Sequence, residues 1–407
     1  MFEKTDTPRN FGVKMNQKKL HTRQPNKNTK KSMNPSYRIA LIANLKDDYE
    51  PEEDDPPDAG AEFDQVETIQ AISQALELEG HHVFFCQADK TLPLRLIELQ
   101  PDICFNIAEG SSGNGREAQV PALCEMLGIP YTASRVVANA ISLDKTQTKR
   151  IWQQQGLPTA PFYQFASIAE IPHHQMNFPL FVKPAREGTG MGVDNSSIAS
   201  NHTELIERVR WVLEKYHQPA LVEEFLPGRE YTVGFLGNPG KTNNHTPPEF
   251  YDSDGYHWFP ILEIDTLSSV SPMIYGHDAK SIDLGEQGAP NYLCPADIPE
   301  SLRSRLIDLA RRAAEALDVN DVSRIDFRMG VDGESYLLEI NTLPGLNPKI
   351  SDLCIMAASE QMQYQTLISE ILYLAAERNG LEIGKREMDS VKLIKRQKKQ
   401  KLPILRQ

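Results

Sequence analysis

The chain has 407 residues, with 43 Lys and Arg against 56 Asp and Glu, a formal net charge of −13, and 40% apolar and 24% charged residues. That balance belongs to a globular protein of two or three domains with ample apolar residues for its cores. No run reaches the roughly 20 apolar residues of a membrane helix, and the five scattered cysteines (86, 104, 124, 294, 354), with no CxxC pair, exclude a disulfide scaffold and a zinc knuckle.

The N-terminus is basic but no apolar segment follows it, so it does not read as a secretory signal. Unpaired cysteines and no such signal point to a reducing compartment, the cytoplasm. Charge is unevenly spread: residues 1–38 carry ten Lys and Arg and two Asp and Glu, and residues 385–407 carry nine and two. The body between them has 24 basic and 52 acidic residues, a net charge near −28. Both tails are Asn-, Gln- and Lys-rich without periodicity, which predicts disorder over 1–36 and 385–407. So acidic a body argues against nucleic acid as the main partner, and nothing in the chain calls for a membrane.

The body opens with an apolar strand, Arg38–Ala43, then an acidic, Pro-rich loop, Lys46–Asp58. Val66, Ile69, Ile72 and Leu76 recur at helical spacing, with Gly80 placed to end the helix. His82–Cys86 is a strand, Leu92–Leu99 a helix and Ile103–Ile107 a strand. This alternation predicts a parallel sheet with crossover helices. Farther on, residues 142–155 read as a helix with Ser142 or Asp144 near its start, Leu180–Val182 as a strand and 203–216 as a helix. Leu221–Phe225 and Tyr231–Phe235 read as strands joined through Pro227 and Gly228. Residues 238–257 are a polar loop. Leu302, Leu306, Leu309, Ala313 and Leu317 mark an amphipathic helix, and Ser323–Met329 and Tyr336–Ile340 form a hairpin about Val331-Asp332-Gly333.

The hairpin carries the strongest chemical signal. Alternation along a strand puts Arg324 with Asp326 and Glu339 with Asn341 on one face, with Ile325, Phe327, Leu338 and Ile340 on the other. Two carboxylates and an amide are hard oxygen donors suited to Mg²⁺. Any one of them alone would be an ordinary surface residue; four on one face ahead of Thr342-Leu343-Pro344-Gly345 read as a metal site. Lys183 ends the apolar run Phe178–Val182 and needs a counter-charge, which a phosphate would supply. Lys145 sits at a helix start, where a cation is disfavoured unless it serves an anion. Each lysine alone reads equally as a structural residue whose head reaches solvent. Glu187-Gly188-Thr189-Gly190-Met191-Gly192 gives a backbone open to phosphate oxygens, though flexible turns use the same residues. In Glu223-Glu224-Phe225-Leu226, followed by Glu230, a strand end can offer its backbone to a purine, with Glu223 and Glu230 placed for an amino group and ribose hydroxyls. By itself the segment is an ordinary charged hairpin. The histidine pairs 81-82 and 173-174 lack metal-site spacing.

Taken in order, these segments resemble the ATP-grasp superfamily, and within it the D-alanine–D-alanine ligases. The matching runs, over about residues 37–380, are LGIPYTAS (127–134), LDKTQTK (143–149), FVKPAREGTGMGV (181–193), LVEEFLPGREYTV (221–233), YGHDAK (275–280), YLCPA (292–296), SRIDFRM (323–329) and LEINTLPG (338–345). The resemblance implies an α/β, three-domain ATP-grasp fold: a Rossmann-like domain over 37–134, a central subdomain over 135–220, and a metal-binding subdomain over 221–384, the last two clasping ATP.

It also implies roles. Lys145 and Lys183 hold phosphates beneath the loop Glu187–Val193; Glu223, Leu226 and Glu230 hold adenine and ribose. Asp326, Glu339 and Asn341 hold two Mg²⁺, with Mn²⁺ as the alternative. Arg324 and the Gly345 amide stabilise the tetrahedral intermediate, and Lys280 reaches the transferred phosphate. The activity implied is ATP-dependent joining of a carboxylate to an amine through an acyl phosphate, with two amino acids as substrates, D-alanine the default, and a place in peptidoglycan synthesis. The family is commonly dimeric.

The amino-acid half departs from the family pattern. Asn44–Asp64 replaces the usual start, with Glu62 or Asp64 as substitutes for the substrate-holding acid, and Ala108–Glu117, containing Glu109, replaces a His-Gly-x-x-Gly-Glu-Asp segment. Ser281 stands where a loop Tyr is usual, and Leu346–Ser351 replaces a Ser-Leu pair, leaving Lys349 or Ser351 for the second substrate's carboxylate. The alternatives are a ligase for a different amino-acid or small carboxylate and amine pair and, in another class, a non-catalytic nucleotide-binding regulatory protein.

Overall fold

The computed structural model describes residues 36–50, 53–172, 176–240, 250–266, 274–276 and 289–383. The two tails, the His173-His174 pair, Lys280 and Ser281 lie outside these residues. The described strands form three sheets.

In the first, β1 (Arg38–Ala43) lies between β2 (His82–Gln87) and β3 (Ile103–Asn106), all parallel. β1 is apolar without alternation because both its faces are covered. Ile39 and Leu41 pack with Ile69, Ile72 and Leu76 of helix Val66–Leu78, while Ala40 and Ile42 pack with Leu92, Leu96 and Val120.

The second sheet contains β4 (Phe162–Phe165), β5 (Leu180–Pro184), β6 (Ile198–Ala199) and β7 (Ala220–Glu224), antiparallel in the order β4-β7-β5-β6. Helix His202–Tyr216 covers it with Leu205, Val209 and Val212. The Asn201 side chain caps that helix, accepting from the amides of Thr203 and Glu204. Leu221–Phe225 therefore does not pair with its successor as the sequence pattern suggests. Between Phe225 and Arg229 the chain leaves one sheet and enters the next.

The third sheet contains β8 (Glu230–Gly237), β9 (Tyr256–Trp258), β10 (Leu262–Asp265), β11 (Asn291–Leu293), β12 (Asp321–Met329) and β13 (Ser335–Asn341), in the order β11-β10-β8-β12-β13 with β9 also on β8. Helix Glu300–Glu315 packs on one face through Leu306, Leu309 and Ala313, beside Trp152. On the other face Leu236, Leu262 and Val322 meet Leu353 and helix Tyr364–Arg378. Every residue of that helix from Leu367 to Ala376 is buried, as expected of a helix packed on all sides. Its one buried carboxylate, Glu370, accepts from the Tyr251 hydroxyl at 2.9 Å.

Of the two starts expected for the helix over 142–155, the structure takes Asp144: the helix is Lys145–Gln154, and a separate helix, Val136–Leu143, runs up to the same residue. Asp144 has extended ψ, and its carboxylate accepts from the Thr146 and Gln147 amides, both at 3.1 Å. An Asp at this position favours a cap over helix interior, and the break sets Lys145 on the first turn of the second helix. No helix among the described residues is long and apolar enough to cross a membrane, and the five cysteines are unpaired thiols.

Candidate active site

In the β12–β13 hairpin Asp326 lies directly opposite Glu339 and Arg324 opposite Asn341. Alternation therefore gathers these four on one face, as expected. The same rule fails one step later. A bulge after Asp326 pairs Phe327 with Leu337, so Leu337 faces the core and Leu338 lines the site cavity. Leu338 is thus not on the apolar side.

Two carboxylates directly opposite each other destabilise a sheet unless a cation lies between them. Asp326 is partly compensated: it accepts from Thr232 Oγ1 at 2.8 Å and from Asn341 Nδ2 at 3.2 Å, and lies 3.4 Å from the Arg324 guanidinium. Glu339 lies 3.4 Å from Lys145 Nζ. Among the described residues no three His, Cys, Asp or Glu side chains gather as a metal cluster; the donor set is two carboxylates and the Asn341 amide. Opposed carboxylates with an amide oxygen source fit a hard divalent cation.

Lys183, on β5, lies 2.9 Å from Glu223 Oε2, and the fully buried Lys149 lies 2.7 Å from Glu223 Oε1. Lys149 also donates to Thr159 Oγ1 and to the Leu337 carbonyl, each at 3.0 Å. Burial alone would raise the Glu223 carboxyl, but the two ammonium groups hold it below its ordinary range. Burial lowers Lys149; for Lys183 burial acts the same way but is outweighed by Glu223 and Glu339. The carboxylate of Glu223 thus faces two lysines, positions Lys183 and also lines the cavity between the second and third sheets.

A cavity of about 830 Å³ opens between the second and third sheets, lined by Lys145, Lys183, Glu187, Gly190, Glu223, Glu224, Phe225, Leu226, Glu230, Asp326 and Glu339. Sequence reasoning missed Phe181, Arg328 and Leu338, which also line it. Phe181 and Phe225 lie 6.3 Å apart and 23° from parallel, an apolar flank suited to a flat ring. Glu230 pairs with Arg328 at 3.4 Å.

A second cavity, of about 810 Å³, adjoins the first; Lys145 and Glu339 line both. Its wall includes Glu62, Asp64, Glu109, Gly188, Thr189, Arg324, Asn341 and Gly345, all expected, and Glu117 and Ser142, which were not. Burial pushes the Asp64 carboxyl up to about 7. Burial, then the charge of Glu62, pushes Glu117 up to about 8, and burial with Glu117 and Glu62 raises Glu109 well above the ordinary range. Lys349 and Ser351 line neither cavity. Ser351 Oγ accepts from the Asn347 amide at 2.9 Å and sits where a Cβ on Gly345 would come within 2.9 Å, so it supports the turn. Lys349 is held there by its amide, 3.0 Å from Asn347 Oδ1.

The glycine-rich loop is fastened to the acidic segment ahead of it. The amide of Gly192 donates to Asp58 Oδ2 at 2.7 Å and that of Gly188 to Glu62 Oε1 at 2.5 Å. Arg116 bonds Glu62 at 2.6 Å, Glu187 at 3.1 Å and the Arg186 carbonyl at 2.7 Å. Lys145 Nζ donates to the Glu187 carbonyl. Gly192 has φ +68°, and a Cβ there would meet Pro184 Cγ at 2.6 Å, so the loop needs glycine at this point.

A family model described as the D-ala D-ala ligase C-terminus matches residues 151–373. The D-alanine–D-alanine ligase of Aquifex aeolicus is 32% identical over 308 residues, 75% of this chain and 94% of that one. The chain belongs to the D-alanine–D-alanine ligase family. An uncharacterized protein of Sinorhizobium fredii is 30% identical over 322 residues, covering 76% of this chain and 89% of its own. Among solved structures, the ATP-complexed D-alanine–D-alanine ligase of Bacillus anthracis superposes with a TM-score of 0.62 at 20% identity, covering 85% of this chain and 99% of that one. The protein has the ATP-grasp fold of this family, and the model match spans the second and third sheets, which enclose the first cavity. Of the residues missed in the sequence, Lys149 carried a signal: it stands one helical turn from Lys145, on the same face.

Proposed function

We propose that this family member is an ATP-dependent ligase of the D-alanine–D-alanine ligase type, joining two amino acids through an acyl phosphate. The observation that carries the reading is the pair of adjoining cavities sharing Lys145 and Glu339. One has the apolar flank and paired lysines suited to ATP; the other has the polar wall suited to amino acids.

The first substrate's carboxylate attacks the γ-phosphate, giving an acyl phosphate and ADP. The second substrate's amine, after losing a proton, attacks the acyl carbon, and phosphate leaves as the peptide bond forms. Lys145 and Lys183 neutralise charge developing on the phosphoryl oxygens, with Glu187–Gly190 and Thr189 closing over them and Lys280 as the further cation. Arg324 and the Gly345 amide face the oxyanion of the tetrahedral intermediate. Asp326, Glu339 and Asn341 would hold Mg²⁺, or Mn²⁺, which when bound supplies positive charge to the polyphosphate. With D-alanine as both substrates the product would feed peptidoglycan synthesis in the cytoplasm.

The test is phosphate release from Mg-ATP with purified protein across D- and L-amino acids, singly and in pairs, with the dipeptide identified by mass. Release that requires a pair, with the matching dipeptide formed, is expected. Bound ATP with no release for any pair would favour a nucleotide-binding regulator.

A further inference from the structure

Building on the ligase reading, we propose that one of the two substrates is an amino acid bearing a second, side-chain ammonium group, received by Asp64, Glu109 and Glu117. The wall of the second cavity is rich in carboxylates. Four carboxylates stand in its wall in addition to Glu339: Glu62, Asp64, Glu109 and Glu117. The cations beside them are already committed. Arg116 is bonded to Glu62 and Glu187, Lys145 to Glu339 and the Glu187 carbonyl, and Arg324 to Asp326 and Asp352. Glu62 thus has its partner; Asp64, Glu109 and Glu117 have no side-chain hydrogen bond or ion pair among the described residues.

The reaction itself does not account for three such groups. Of two zwitterionic amino acids, the one that attacks must do so as a free amine. Only the other keeps an α-ammonium to be held, and one carboxylate suffices for it. Nor, among the described residues, does the wall offer a spare cation for a further carboxylate, since Lys349 lies outside it. Holding half-buried carboxylates together without a partner is costly, and the raised protonation ranges of all three go with that placement. A ligand ammonium placed among them would supply the missing partner, in a cavity that opens directly onto the phosphate-facing Lys145.

The experiment measures binding and turnover with lysine, ornithine and 2,4-diaminobutyrate of both hands against alanine. Binding is titrated in the presence of a non-hydrolysable ATP analogue, turnover by phosphate release. The expected result is a diamino acid favoured over alanine by about tenfold or more, the scale of one charged hydrogen bond. In Glu117→Gln and Glu109→Gln that preference falls about tenfold within the same preparation, a ratio that does not depend on the folded fraction; Asp64→Asn serves as a third variant. Alanine bound and turned over as well as any diamino acid overturns the inference and leaves the ligase reading standing. Tight diamino-acid binding that depends on Glu117, with no phosphate release for any pair, sustains the inference and removes the ligase reading.

Discussion

Glu223→Gln isolates the ion cluster beneath the nucleotide cavity. The substitution keeps the side chain's shape and removes one charge between Lys149 at 2.7 Å and Lys183 at 2.9 Å, whose side chains are 0% and 10% exposed. At an effective dielectric of about 20, each contact is worth about 6 kcal/mol of gross attraction. Most of that is offset by the cost of burying the carboxylate, so the net loss expected on removing one partner of a buried set is about 3–5 kcal/mol.

The sign of the pH dependence follows from Lys149. Burial already lowers its proton affinity, and without Glu223 the folded state holds that proton still less well than the unfolded chain. The unfolded chain then binds more protons, so the variant regains stability as pH rises toward the ordinary lysine range. Urea unfolding followed by circular dichroism at pH 7.5 and 9.5 measures both effects. A loss below about 1 kcal/mol at pH 7.5, with no recovery at 9.5, would refute the cluster as a buried charge network.

Arg324→Ala should lower turnover by about a hundredfold or more, as removal of one oxyanion donor does, with ATP affinity little changed; equal loss of both, by steady-state kinetics and nucleotide titration, counts against the role. Glu117→Gln should flatten the pH dependence of stability. Because the folded state holds the Glu117 proton up to about 8, the wild-type protein loses stability as pH rises from the ordinary carboxylate range through about 8, so thermal melts of variant and wild type should diverge most at alkaline pH and converge near pH 4. Gly192→Ala puts a Cβ at φ +68° against Pro184 and should cost about 1–3 kcal/mol in urea unfolding; a neutral result would mean the loop rearranges freely. Chelation of divalent ions should abolish phosphate release and restoration of Mg²⁺ recover it, whereas Asp326→Asn should need more Mg²⁺ for half-maximal rate.

Much of the site was legible because its order along the chain reflects strand geometry. Arg324, Asp326, Glu339 and Asn341 share a face because two strands alternate and pair in register, and the ends of the first sheet's strands were plain in their apolar runs. What stayed hidden needed tertiary information. The β12–β13 bulge has no local signature, so Leu338 was assigned to the wrong face. The sequence left Ser142 and Asp144 as alternative helix starts, and the separate helix Val136–Leu143 that ends against Asp144 was not foreseen. Lys149 and Glu223 meet only because β5 and β7 pair beside the helix that carries Lys149. Glu117 lies in a short 3₁₀ turn, where spacing carries no facial information. The substrate role expected for Ser351 and Lys349 came from proximity in sequence to Gly345; neither lines the two cavities, and Ser351 Oγ accepts from the Asn347 amide in the turn.

The bulge divides the last hairpin into two stretches of opposite phase. Toward Asn341, residues 339–341 keep step with 324–326 and hold the opposed carboxylates; toward the turn, residues 335–337 keep step with 327–329 and fill the core with Leu337. Removing residue 338 alone would leave every rung in place, Glu339 across from Asp326 and Leu337 across from Phe327, and would cost only the bend and the side chain that lines the cavity. Removing Ile340 instead and closing the ladder would bring Glu339 across from Ile325, on the core face, and Leu338 across from Asp326. The hairpin therefore tolerates the loss of its one unpaired residue far better than the loss of a paired one.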